Sequence, residues 1–144
     1  MALWIAIVGA AATWVMVGVA WFTQIVHYPM LRLTAGDGSG DAAREHARRT
    51  AWVVGPVMLV EAVTAIALLV VRPDGVSAGA VWIAAALLAG VWASTALVQM
   101  RHHARLQRRF DPTTHRALVR WSAPRTLLWS ARALVMAGIV AAAT

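Results

Sequence analysis

The chain has 144 residues, is 60% hydrophobic and only 13% charged, carries a formal net charge of +7, and has a mean hydropathy of +0.66. An ordinary soluble domain is about 25% charged, so the composition points to an integral membrane protein. Cysteine is absent, which removes disulfides, thiolate metal sites and cysteine nucleophiles.

Four stretches are long enough to cross a hydrocarbon core, which takes roughly 20 helical residues: Leu3 to Val26, Ala51 to Val71, Ala78 to Met100 and Leu118 to Ala142. The expected fold is a single all-α domain, residues 1–144, forming an up-down-up-down four-helix bundle. The first span, about 3–28, is too long and lacks the basic n-region of a removable signal peptide. It should end at His27-Tyr28-Pro29, because proline cannot continue the backbone ladder, with Tyr28 as an interfacial anchor. Thr34 to Gly40 has the glycine-rich composition of a loop. Asp41 is the expected N-cap of the second helix, whose first turns, Ala42 to Thr50, form an arginine-rich amphipathic lead-in.

Arg72-Pro73-Asp74-Gly75 predicts a tight turn between the second and third helices. The third should run on past the membrane surface through Arg101 to Phe110. Asp111 and Pro112 then read as N-cap and first residue of the fourth, so the two helices share an extension over about 101–117. Pro56 and Pro124 fall inside the second and fourth spans. Each frees a backbone carbonyl one turn earlier, which neighbouring groups must satisfy.

All 13 basic residues are arginine. Ten of them, from Arg32 through Arg49 and from Arg101 through Arg120, lie in or beside the first and third connections, against Arg72 alone in the second. By the positive-inside rule these connections are cytoplasmic and both termini lie outside. The arginine band is expected to meet anionic lipid headgroups and not nucleic acid. An all-arginine basic set further suggests a GC-rich bacterial genome, hence the bacterial cytoplasmic (inner) membrane.

The polar residues inside the spans carry the functional signal, since an ionised group at hydrocarbon depth costs on the order of 2.5 to 3.5 kcal/mol even on the lenient insertion scale. Trp121, Arg125, Trp129 and Arg132 recur at helical spacing on the fourth helix. Trp14, Trp21, Gln24 and Tyr28 form a stripe on the first helix, with His27 beside Gln24. The third offers Trp92, Thr95 and Gln99, then His102 or His103. Glu61 lies near the middle of the second, flanked by Met58 and Thr64. Turned inward, these faces would line one pocket that opens toward the cytoplasmic side or the inner leaflet, floored by a Glu61–Arg132 pair and walled by tryptophans. The plainer reading is that Glu61 and Arg132 lock two helices together while the tryptophans fill space.

The five histidines map to the cytoplasmic half, and imidazole is a ligand for haem and metals. No cofactor is expected, because no spacing matches a metal motif; the alternative is a haem b or metal ion held by His27 and His102. His46, His103 and His115 read as headgroup-level surface residues.

The four spans, the polar cluster closing the first helix (Gln24-Ile-Val-His27-Tyr-Pro29) and Trp121-Ser-Ala-Pro-Arg125-Thr126 on the last resemble the small four-helix membrane proteins of the anthrone oxygenase-like family. The resemblance implies oxidation of a lipophilic aromatic substrate, an anthrone or quinol-like ring, by O₂ without a tightly bound metal. It assigns His27 as base, Arg125 and Arg132 as partners of a developing phenolate, Glu61 as the holder of Arg132, Gln24 as an orienting hydrogen bonder, and Trp21, Trp121 and Trp129 as stacking walls; the helical spacing of Trp92, Thr95 and Gln99 adds these three to the ligand site. Two other classes compete. One is proton-coupled transport of an organic anion past Arg125, Arg132 and Glu61, which with four helices and no repeat would require a homo-oligomer; small residues such as Gly9, Gly18, Ala86 and Gly90 suit close helix contacts within or between chains alike. The other is an accessory subunit of a larger membrane complex.

Overall fold

A computed structural model describes residues 1–31, 39–99 and 112–144. Helix α1 (Ala2–Phe22) is continued by a π-helical turn, Thr23–His27, and a last α-turn, Tyr28–Leu31. Helix α2 spans Ser39–Val70, α3 spans Ala78–Ser94 and continues as a second π turn, Thr95–Gln99, and α4 spans Pro112–Ala142. All four are long and apolar enough to cross a membrane, and no strand occurs among the described residues.

Helix α1 packs on α2 and α4, and α3 on α4 and α2, so the ring order of the bundle follows the chain. Contacts between Thr13 and Glu61 and between His27 and His46 show α1 and α2 running antiparallel. Small residues allow the close approach: a Cβ on Gly9 would lie 2.9 Å from Thr64 Oγ1, and Ala6, Ala10, Ala65 and Ala84 are buried between helices. Of the other small residues singled out, Gly90 would make only ordinary contact with Leu128, Gly18 faces open space, and Ala86 is exposed.

The turn after α2 forms as its composition predicts. Val76 N–H bonds the Pro73 carbonyl at 3.3 Å, Gly75 takes a φ of +77°, and the Ser77 hydroxyl caps α3 by accepting from Ala80 N at 3.2 Å. A Cβ on Gly75 would also sit 2.6 Å from the Ala142 carbonyl oxygen, a backbone atom with little room to move. Gly75→Ala should therefore cost about 1–3 kcal/mol, from left-handed backbone strain plus the clash. The loss is read as a lowered thermal midpoint; an unchanged midpoint would mean that this turn does not seat on the end of α4.

Two expected boundaries shift. The first helix does not stop at Pro29: Tyr28 N–H reaches back five residues to the Thr23 carbonyl. This wider turn lets Ile25, whose carbonyl the Pro29 ring would otherwise strike, move aside. Ser39 and Gly40 are already helical in α2, so Asp41 is not its N-cap. Tyr28 is not an interfacial anchor either, being 2% exposed and packed with Leu118 and Val119. Pro112 is helical in α4, whereas Asp111, His102, His103 and the extension beyond Gln99 lie outside the described residues, as do the side chains of Gln99 and His115.

The π turn explains the Tyr28 reversal. Trp21 and Tyr28 are seven residues apart, close to two α-turns, and would share a stripe at about 100° per residue. A five-residue π turn advances less per residue and turns Tyr28 away from Trp21 into the core.

Candidate functional site

The buried polar residues form two layers and a side clasp, not one chamber. In the deep layer Glu61 and Arg132 are both fully buried. Thr13 Oγ1 lies 2.8 Å from Glu61 Oε1, Trp129 Nε1 donates to Glu61 Oε2 at 3.1 Å, and Arg132 Nε stands 3.4 Å from Glu61 Oε1. Arg132 Nε also donates to Thr13 Oγ1 at 3.2 Å, and Nη1 reaches the Ala84 carbonyl on α3 at 2.6 Å. All four helices are thus tied through one carboxylate and one guanidinium, with the charges compensated where neither can reach water.

Toward the arginine-rich end of the bundle lies a half-open cavity of about 720 Å³, within the range of small-molecule sites. Its lining excludes Glu61 and Arg132. Met16, Met58 and Trp129 form its inner end, and these side chains pack together in the core. The expected Glu61–Arg132 floor is therefore corrected: the pair lies behind Trp129, whose indole N–H faces Glu61 while its ring faces the cavity.

The cavity's polar residues come from all four helices. The Arg125 guanidinium carbon lies 5.3 Å from the Trp129 ring centroid, a cation–π distance, and the Tyr28 hydroxyl is close enough to share a hydrogen bond with this side chain. His27 stacks on His46 with ring centroids 4.1 Å apart and planes 26° off parallel. His46 Nε2 in turn lies 3.1 Å from the Thr50 hydroxyl. His27 Nε2 and Arg125 Nε are buried without a hydrogen-bond partner among the described residues, so the cavity wall holds unspent donor or acceptor capacity. Thr95 lines the same space, its hydroxyl bonded to the Val91 carbonyl at 2.8 Å.

Gln24 serves the clasp. Its Nε2 donates to the Val119 carbonyl at 3.1 Å and its Oε1 accepts from the Ser122 hydroxyl, pinning the first π turn to α4. Trp21 Nε1 donates to Ser130 Oγ at 3.1 Å across the same seam.

Among the residues expected from sequence, His27, Arg125, Trp129 and Thr95 meet in the cavity, and Glu61 and Arg132 meet behind it. Trp21, Trp92 and Trp121 do not wall it: all three are absent from its lining, and Trp121 is 53% and Trp92 44% exposed on the outside of the bundle. His46 was read as a surface residue and instead lines the cavity with His27. Thr13, Met16 and Thr50 are not singled out by the sequence as site residues, whereas Tyr28, on the expected inward stripe of the first helix, does line the cavity. No group of three or more His, Asp or Glu side chains converges among the described residues.

No protein-family model matches this chain, and no curated protein or solved structure matches it.

Proposed function

We propose that this is a multi-pass protein of the bacterial cytoplasmic membrane that binds a lipophilic aromatic molecule, anthrone- or quinol-like, in the 720 Å³ cavity and oxidises it with O₂. The observation that carries this reading is a largely apolar cavity lined by both His27 and Arg125, the latter over the Trp129 ring, with no carboxylate among the described residues of its lining. Arg44, Arg48, Arg49, Arg116 and Arg120 cluster at this end of the bundle, which the positive-inside rule assigns to the cytoplasm, with both termini outside.

In this reading the His27 imidazole takes the acidic ring proton, and Arg125 holds the resulting enolate or phenolate oxygen. Trp129 stacks on the flat body of the substrate. An anthrone CH₂ loses its two hydrogens to one oxygen atom of O₂, giving the anthraquinone and one water. A quinol gives up two electrons and two protons, yielding quinone and hydrogen peroxide. Glu61 and Arg132 keep Trp129 in place and touch no substrate.

The blind inner end at Met16, Met58 and Trp129 favours binding over passage, so the carrier alternative gains nothing from this geometry. Purified full-length protein supplied with anthrone should consume O₂ and release anthraquinone in equal amounts. A rate no greater than that of anthrone in protein-free buffer overturns the proposal.

A further inference from the structure

We propose that the cavity selects an anionic amphiphile, held with its charged oxygen at the arginine-rich end and its apolar body pointing toward the bundle centre. The inference rests on the cavity being a ligand site, as proposed above, but not on the oxidation. Three observations carry it.

The first is charge. The chain has six acidic residues, and none of Glu45, Glu61 and Asp74, whose side chains are described, lines the cavity. Glu45 is engaged instead by Arg48 and Arg49 at 2.8 and 2.7 Å. Arg125 is left with no carboxylate partner among the described residues and with a buried, unpartnered Nε. A guanidinium in an apolar, half-enclosed site favours an anion that completes its hydrogen bonds.

The second is polarity along the cavity. Arg49, His46, Thr50, His27 and Tyr28 come from the arginine-rich ends of α1 and α2, Arg125 lies between Tyr28 and the Trp129 ring, and Val54, Met58, Met16 and Ala20 come from nearer the bundle centre. A ligand charged at both ends, or at neither, would leave one end unmatched.

The third is the opening. Phe22, Ala51 and Val53 line the cavity and are exposed on the sides of α1 and α2, within the segments apolar enough to cross a membrane. A molecule dissolved in the bilayer therefore reaches the cavity sideways, head at the interface and tail inside, in the orientation it already holds in the lipid.

The shared chemistry is a single anionic oxygen, carboxylate or phenolate, on an apolar body. The test uses full-length protein in phosphatidylcholine vesicles and reads tryptophan quenching by chain-brominated palmitate, by its methyl ester and by a matching brominated alkylamine. The acid should give a saturable component at least about tenfold tighter than the ester or the amine, the effect of a charge-assisted contact in a partly buried site. Arg125→Gln should abolish that preference and Arg125→Lys should restore part of it. Competition then separates the two sources: a hydroxyanthrone that displaces the acid more tightly than palmitate itself assigns a phenolate, and the reverse order assigns a fatty acid. Equal binding of acid and ester by the unaltered protein overturns the inference whether or not any variant folds. Acid-selective binding without O₂ uptake would retain the anionic site and discard the oxidation alone.

Discussion

Replacing Glu61 with leucine should destabilise the bundle by about 3–5 kcal/mol, the usual consequence of removing one partner from a buried ion pair. Arg132 would then sit fully buried with only the Thr13 hydroxyl and the Ala84 carbonyl as partners, and a guanidinium does not shed its proton. Trp129 Nε1 would lose its acceptor as well. Arg132→Met should be costly for the converse reason, leaving the carboxylate to Thr13 and Trp129. The double variant Glu61→Leu/Arg132→Met should recover much of the loss, because it removes both desolvated charges together. The measurement is reversible unfolding in mixed micelles followed by circular dichroism. If Glu61→Leu unfolds no more easily than the parent, the pair does not lock the helices.

The second large effect concerns turnover. His27→Ala and Arg125→Ala should each lower kcat/KM for an anthrone by about 10²-fold or more, the range found when a general base or an oxyanion partner is removed. The geometry separates this from the stability effect. His27 and Arg125 line the cavity, whereas Glu61 and Arg132 lie behind Trp129. Loss of activity with a near-parental melting curve is therefore the expected signature of the first pair. Arg125→Lys should retain part of the rate, since it keeps a cation while losing the planar fork. Parental turnover in His27→Ala would end the assignment of that imidazole as base.

The two experiments separate residues that one-dimensional spacing groups together. Arg125 and Arg132 are seven residues apart on α4, close to two turns, and read as one face. In three dimensions a single indole divides them. Trp129 offers its ring to Arg125 and its N–H to Glu61. Spacing gives the face of a residue but not which neighbour fills the gap between two levels of that face.

The outer tryptophans teach the complementary point. Trp92 and Trp121 were expected as cavity walls because they sit at helical spacing from Thr95 and Arg125. Their indoles instead lie largely exposed, which suits tryptophan's tolerance for lipid-facing and interfacial positions. His46 errs the other way. Its arginine-rich context reads as surface, yet its place on α2, opposite the π turn of α1, stacks it on His27. A signal for the π turns exists but is weak. Thr23 and Thr95 open them, each with its hydroxyl on the carbonyl four residues back, yet Thr13 and Thr64 make the same bond inside regular helix.

Four membrane-length helices, their antiparallel order, the Gly75 turn and the pairing of Glu61 with Arg132 were all legible in the amino-acid order. Span length, turn chemistry and the cost of a lone charge in an apolar interior are local quantities that composition and spacing report directly. The division into a sealed ionic layer and a separate cavity, the recruitment of His46 and the inward turn of Tyr28 were decided only by the tertiary structure. They depend on two π turns that shift helical phase and on which of several similar side chains fills the space between levels, and both are set by packing across helices rather than by any periodicity within one.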